Sequence, residues 1–147
     1  MITRLEIMSK PLSDKLEVSN KAQQVNAGLI ACELALKHAL PENKAVFELL
    51  NDLKNEKDFS QEKLNFLDNL LNEYEDKYFE LQNSTDPRDL EESLIYFSKA
   101  RAISSLIFLA TGNDFQKITE GIYEAIMAVD DEGLIVNSID QYLLIPS

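Results

Sequence analysis

The stretch Ser93-Leu94-Ile95-Tyr96-Phe97-Ser98-Lys99-Ala100-Arg101-Ala102-Ile103-Ser104-Ser105-Leu106-Ile107-Phe108-Leu109-Ala110-Thr111-Gly112-Asn113 decides the fold class. It contains no acid, although the chain around it is strongly acidic. Leu94, Phe97, Ile103, Leu106, Ile107 and Leu109 suit the central helix of a bundle. Asp86 followed by Pro87 reads as N-cap then first helical residue, and Asp89, Glu91 and Glu92 favour a helix start. Gly112 is placed to end the helix in left-handed geometry, giving a helix over about 87–111. A membrane span is not expected, because Lys99 and Arg101 leave an apolar run well short of the roughly 20 residues required.

Working outward, residues 61–82 repeat the pattern more cleanly. Leu64, Leu67, Leu71, Tyr74, Tyr78 and Leu81 recur at helical spacing, with Ser60 as the cap. Residues 1–12 are ambiguous, since Pro11 interrupts the set Ile2, Leu5, Met8 and Leu12. A long first helix is expected over about 14–40, capped by Ser13 or Ser19 and ended by Pro41. The same Pro41 suits the first turn of a helix over about 42–55, with Val46, Phe47, Leu50 and Leu53 inward. Asn113 and Gln116 could form a capping box for a helix over about 114–130. Within it, Gly121 costs about 1 kcal/mol relative to Ala, which close approach to a neighbouring helix would offset. Asp130-Asp131-Glu132-Gly133 reads as a turn. The apolar end from Leu134 to Ile145 suggests a short helix over about 137–144, with a strand as the alternative for residues 134–147. The expectation is one all-α domain over 1–147, a bundle of five to six helices.

The chain has 147 residues, of which 45% are hydrophobic and 27% charged, a globular composition that needs no disulfide or metal staple. Acids outnumber bases 26 to 14, for a net charge of −12. That balance argues against nucleic acid and anionic membrane as partners, because both require concentrated Lys and Arg. One Cys and one His allow no internal disulfide and no ordinary zinc site. No Glu-x-x-His, EF-hand, phosphate-binding glycine loop or Gly-x-Ser-x-Gly elbow occurs, so no catalytic residue, metal or cofactor is assigned. Met1 to Lys10 lacks the apolar run of a signal peptide, which leaves a reducing cytoplasm as the expected location.

Charge is unevenly distributed. Residues 42–92 hold 15 acids against 6 bases, and residues 113–147 hold 7 acids against 1 base. Two acidic sets follow as candidate partner-binding residues. Asp68, Glu73, Asp76 and Glu80 lie opposite the apolar stripe of 61–82, with Glu75 beside them. Asp130, Asp131 and Glu132 form the second set. Plain solubility explains such surfaces equally well. The functional alternative is a surface that mimics a polyanion and docks on a cationic protein. Tyr74, Tyr78 and Tyr123 could anchor such a contact, although tyrosines at helical spacing usually face a core. Lys99 and Arg101 sit in an apolar helix, and Glu33 in the apolar run 27–36 is the natural partner for one of them. His38 and Cys32 lie six residues apart on different helical faces and cannot pair locally.

The run Leu29-Ile30-Ala31-Cys32-Glu33-Leu34-Ala35-Leu36 ending at Pro41, and the segment from Lys99 through Ile118 and Ile122, resemble small acidic immunity proteins of bacteria that neutralise nuclease toxins. They also resemble bacterial all-helical families of unknown function. The resemblance is one of texture over less than half the chain and carries no site residue across. It implies a non-enzymatic inhibitor whose partner is a basic protein, foremost a toxin domain. The competing expectations are a helical adaptor or regulator of another basic protein, and a motif-free enzyme using Glu33, His38, Lys99 and Arg101.

Overall fold

The computed structural model describes residues 2–144, with Glu132 in its backbone only. Eight helices occupy 82% of the described residues, and no strand occurs among them. They are α1 (Arg4–Met8), α2 (Lys10–Glu17), α3 (Lys21–Ala39), α4 (Lys44–Lys54), α5 (Gln61–Gln82), α6 (Pro87–Thr111), α7 (Phe115–Ala128) and α8 (Glu132–Leu144). The all-α expectation holds; the count of five to six helices does not.

The extra helices come from local chain chemistry near the N-terminus. Pro11 does not interrupt a helix there but occupies the first turn of α2, where a missing N–H costs nothing. The expected helix over 14–40 is broken at Val18–Asn20. Asn20 caps α3 through the Gln23 N–H, and Gln23 returns a bond to the Asn20 N–H. This reciprocal box outcompetes continued helix, leaves Val18 87% exposed, and buries Ser13 inside α2 instead of using it as a cap. Thr3 similarly caps α1.

Three further boundaries differ from the sequence expectation. Asn43, not Pro41, starts α4, by accepting from the Val46 N–H. Asp114, not Asn113, caps α7 through the Lys117 N–H at 2.9 Å. A charged acceptor at a helix N-terminus gains from the macrodipole, which an amide does not. Gly112 has φ 176°, an extended conformation, so no left-handed cap ends α6. At the other end of the chain, helix and not strand follows Asp131. Asp131 accepts from the Gly133 N–H at 3.0 Å, which places Gly133 inside the first turn of α8. Residues 145–147, including the expected apolar Ile145, lie outside the described residues.

The core is built where α3, α6 and α7 meet. α7 has the most complete burial, with Ile118, Ile122, Ala125 and Ile126 on one side and Gly121, Glu124 and Ala128 on the other. α6, expected as the central helix of the bundle, is divided. Its C-terminal half inserts Ile103, Leu106 and Leu109 into the core, whereas Leu94 and Ile95 near its N-terminus are exposed. Over 18 residues α6 is apolar enough, and long enough, to cross a membrane. Its polar groups are nevertheless engaged by the bundle: the Ser105 hydroxyl donates to the Gly121 carbonyl at 2.7 Å, and the Ser98 hydroxyl to that of Ala128.

Gly28 and Gly121 both leave room for this approach. A Cβ on either would stand 2.9 Å from Leu109 Cδ2, inside van der Waals contact. α5 packs antiparallel on α6, with Tyr74 against Tyr96 and Tyr78 against Phe97 at centroid distances of 6.2 and 5.7 Å. The Gln82 side chain closes this pair by donating to Ser93 at 2.7 Å.

α4 ends in a Schellman motif: the Lys57 N–H bonds Asp52 O and the Glu56 N–H bonds Leu53 O. The motif forces Glu56 to φ 56°, the one positive φ among the described non-glycine residues. A left-handed non-glycine residue costs roughly 1–2 kcal/mol, of which glycine's greater unfolded-chain entropy returns part. Glu56→Gly is therefore expected to stabilise the protein by about 0.5–1 kcal/mol in urea unfolding. Destabilisation would show that the Glu56 side chain supports the turn.

Candidate functional site

The acids of α5 follow from its two-faced sequence. Leu67 and Leu81 are buried and Leu64, Leu71, Tyr74 and Tyr78 half-buried, so most of the intervening positions face solvent. Asp68, Glu73, Asp76 and Glu80 are all exposed. Glu80 has Lys77 at 3.9 Å, while Asp68, Glu73 and Asp76 have no cation within salt-bridge distance among the described residues. Glu75 is set apart from this row. It is half-buried, turned toward α6, and 3.8 Å from Arg101. Tyr74 and Tyr78 face α6 rather than solvent, so they are packing residues of the α5–α6 pair.

Asp130 and Asp131 are exposed between α7 and α8. Asp131 uses one carboxylate oxygen as a helix cap, and Asp130 shares a groove with Glu91 of α6. The Glu132 side chain lies outside the described residues. The two acidic sets thus occupy different elements, and the α5 acids do not line the Asp130 groove.

Glu33, Lys99 and Arg101 are half-buried and arranged differently from the sequence expectation. Glu33 pairs with Lys54 of α4 at 2.6 Å and stands 3.9 Å from Lys37, one turn along α3. It pairs with neither Lys99 nor Arg101. Lys99 instead sits over the rings of Tyr96 and Tyr74, at 5.1 and 5.7 Å. Arg101 reaches Glu124 of α7 at 3.1 Å.

Glu124 is only 3% exposed and accepts a second arginine, Arg4 of α1, at 2.9 Å. Arg4 also bonds Glu120 and covers the Tyr123 ring at 4.2 Å. The Glu120 bond is the main cause of an Arg4 pKa above the usual guanidinium value. This Arg4–Glu124–Arg101 bridge escaped the sequence reading. Its signal lies in the spacing Gly121, Glu124 and Ala128, where small residues three before and four after an acid mark a second buried face.

The four residues of the enzyme expectation, Glu33, His38, Lys99 and Arg101, do not converge on one site; His38 lines the Asp130 groove with Glu91 and Ser98, and Glu33 faces α4. His38 is exposed at the end of α3, Glu33 belongs to the Lys54 pair, and Arg101 to the Glu124 pair. Cys32 is fully buried, and burial pushes its thiol up to about 12, so it is protonated at neutral pH and a poor nucleophile. No cluster of His, Cys, Asp and Glu among the described residues could hold a metal ion. The arrangement offers exposed unpaired carboxylates on a helical frame, placed to meet a cationic surface.

The bridge at Glu124 should dominate the electrostatic part of stability. Glu124→Ala leaves Arg101 without its closest acid and should cost about 3 kcal/mol. Arg4 is about half exposed, so Arg4→Ala should cost about 1 kcal/mol or less. Chemical denaturation of the two variants checks the ordering; equal costs would mean that Glu124 is solvated in the native state. No family model matches this chain, and no curated protein or solved structure matches it significantly.

Proposed function

We propose that the protein is a non-enzymatic inhibitor of the immunity type, binding and neutralising a cationic protein through its acidic surface. A cytoplasmic nuclease toxin domain is the partner this reading favours, because such an enzyme must present cations to bind phosphate. The observation that carries the reading is the imbalance of pairing. Many bases stand within reach of an acid of the same chain or over an aromatic ring, whereas Asp68, Glu73 and Asp76 are exposed and unpaired among the described residues of α5. Pairing cancels acids and bases together, so the net charge of −12 is carried by the carboxylates left unpaired, and a rigid helix presents those of α5 without an ordering cost.

The test combines Glu73→Lys, Asp76→Lys and Glu80→Lys. These side chains point outward, so the variant should keep its helical circular dichroism. Its affinity for a basic partner isolated on the wild-type protein should fall by about tenfold or more, with a shallower dependence on salt. Unchanged affinity and salt dependence would assign the α5 charge to solubility alone.

A further inference from the structure

Exposed ion pairs contribute little affinity, so an acidic docking protein also needs an apolar anchor. Between the end of α3, the N-terminal half of α6 and the segment after α7 lies an open groove of about 300 Å³. Leu94 and Ile95 line it beside Ala39, and they are 61% and 54% exposed. Leu90, one turn earlier on α6, is exposed as well. Glu91 and Asp130 stand in the same lining with His38 and Ser98, and neither acid forms an ion pair among the described residues. More than half of Leu94 and of Ile95 is left uncovered by the described residues, although the same helix buries Ile103, Leu106 and Leu109 further on.

Charge selects the occupant. A second copy of the chain would bring two bodies of net charge −12 together, with Glu91 and Asp130 in the contact. An anionic membrane would be repelled by the same acids. A cationic protein segment satisfies both features at once. We propose that this groove anchors the partner: it takes a segment with one or two apolar side chains on Leu94 and Ile95, flanked by Lys or Arg that reach Glu91 and Asp130. The proposal rests on the acidic-docking function above and adds its point of attachment. The apolar contact would hold the complex, while the acids would steer it and set its register.

The experiment uses the intact, isotope-labelled protein and three synthetic helical peptides of about 18 residues. One carries a Leu stripe flanked by Lys, the second replaces Leu by Ser, and the third replaces Lys by Glu. The Leu–Lys peptide should shift the amide resonances of Ala39, Leu94, Ile95 and Asp130. It should bind about tenfold or more tightly than either control, and lose about tenfold on Leu94→Ser with Ile95→Ser. Both positions are exposed, so the double variant should retain the wild-type spectrum elsewhere. If the Ser–Lys peptide binds equally well, with shifts centred on Asp68 to Glu80, the groove is overturned and acidic docking survives. If neither Lys peptide binds, both readings fail. A concentration-dependent dimer abolished by the double variant would give the groove to a second copy and also overturn the proposal.

Discussion

Leu109 fills the space that two glycines leave open. Its Cδ2 lies where a Cβ on Gly28 of α3, or on Gly121 of α7, would collide with it. Three helices therefore meet around one leucine side chain. Helix–helix distances follow the size of the contacting residues, and glycine allows the closest approach. The bond from Ser105 to the Gly121 carbonyl forms across that same approach and satisfies a hydroxyl that is fully buried.

The rest of the molecule follows from where this contact sits along α6. It lies near the C-terminal end, so Ile103, Leu106 and Leu109 are drawn inward and the first half of the helix extends past the α3–α7 pair. That half is covered on one side by α5, through the Tyr74–Tyr96 and Tyr78–Phe97 contacts, and left open on the side of Leu94 and Ile95. Pulling α7 against α6 also brings Glu124 beside Arg101, and α1 supplies Arg4 to complete the charge balance. The docking role proposed for the acidic face and the groove thus depends on a core built elsewhere.

Long, strongly periodic segments were legible in the sequence. Ser60 and the 61–82 stripe gave α5 at its observed bounds, and Asp86-Pro87 gave the start of α6. What failed were decisions between competing local bonds. Asn20 and Gln23 break what periodicity reads as one helix, and Asp114 takes a cap that Asn113 could also have made. The role expected of Gly121 was correct because glycine inside a helix has few explanations. The partner of Glu33 was misread because the apolarity of α3 and α6 says that they touch, not which faces do; Glu33 faces α4. Exposure of Asp68, Glu73, Asp76 and Glu80 could be read from the stripe they oppose, whereas Glu75 sits at its edge and turns to Arg101. The exposed Leu94 and Ile95 could not be read at all, since an apolar position looks the same in a core and in a groove.

The glycine–leucine contact is best tested by a double-mutant cycle on urea stability. Gly121→Ala in the wild-type protein should destabilise by about 1–3 kcal/mol, because overpacking outweighs the helical preference of Ala. In a Leu109→Ala background the added methyl enters vacated space, and the same change should be neutral or stabilising by up to about 1 kcal/mol. Equal effects in both backgrounds, within about 0.5 kcal/mol, would show that Leu109 and Gly121 do not share that space and would contradict the account.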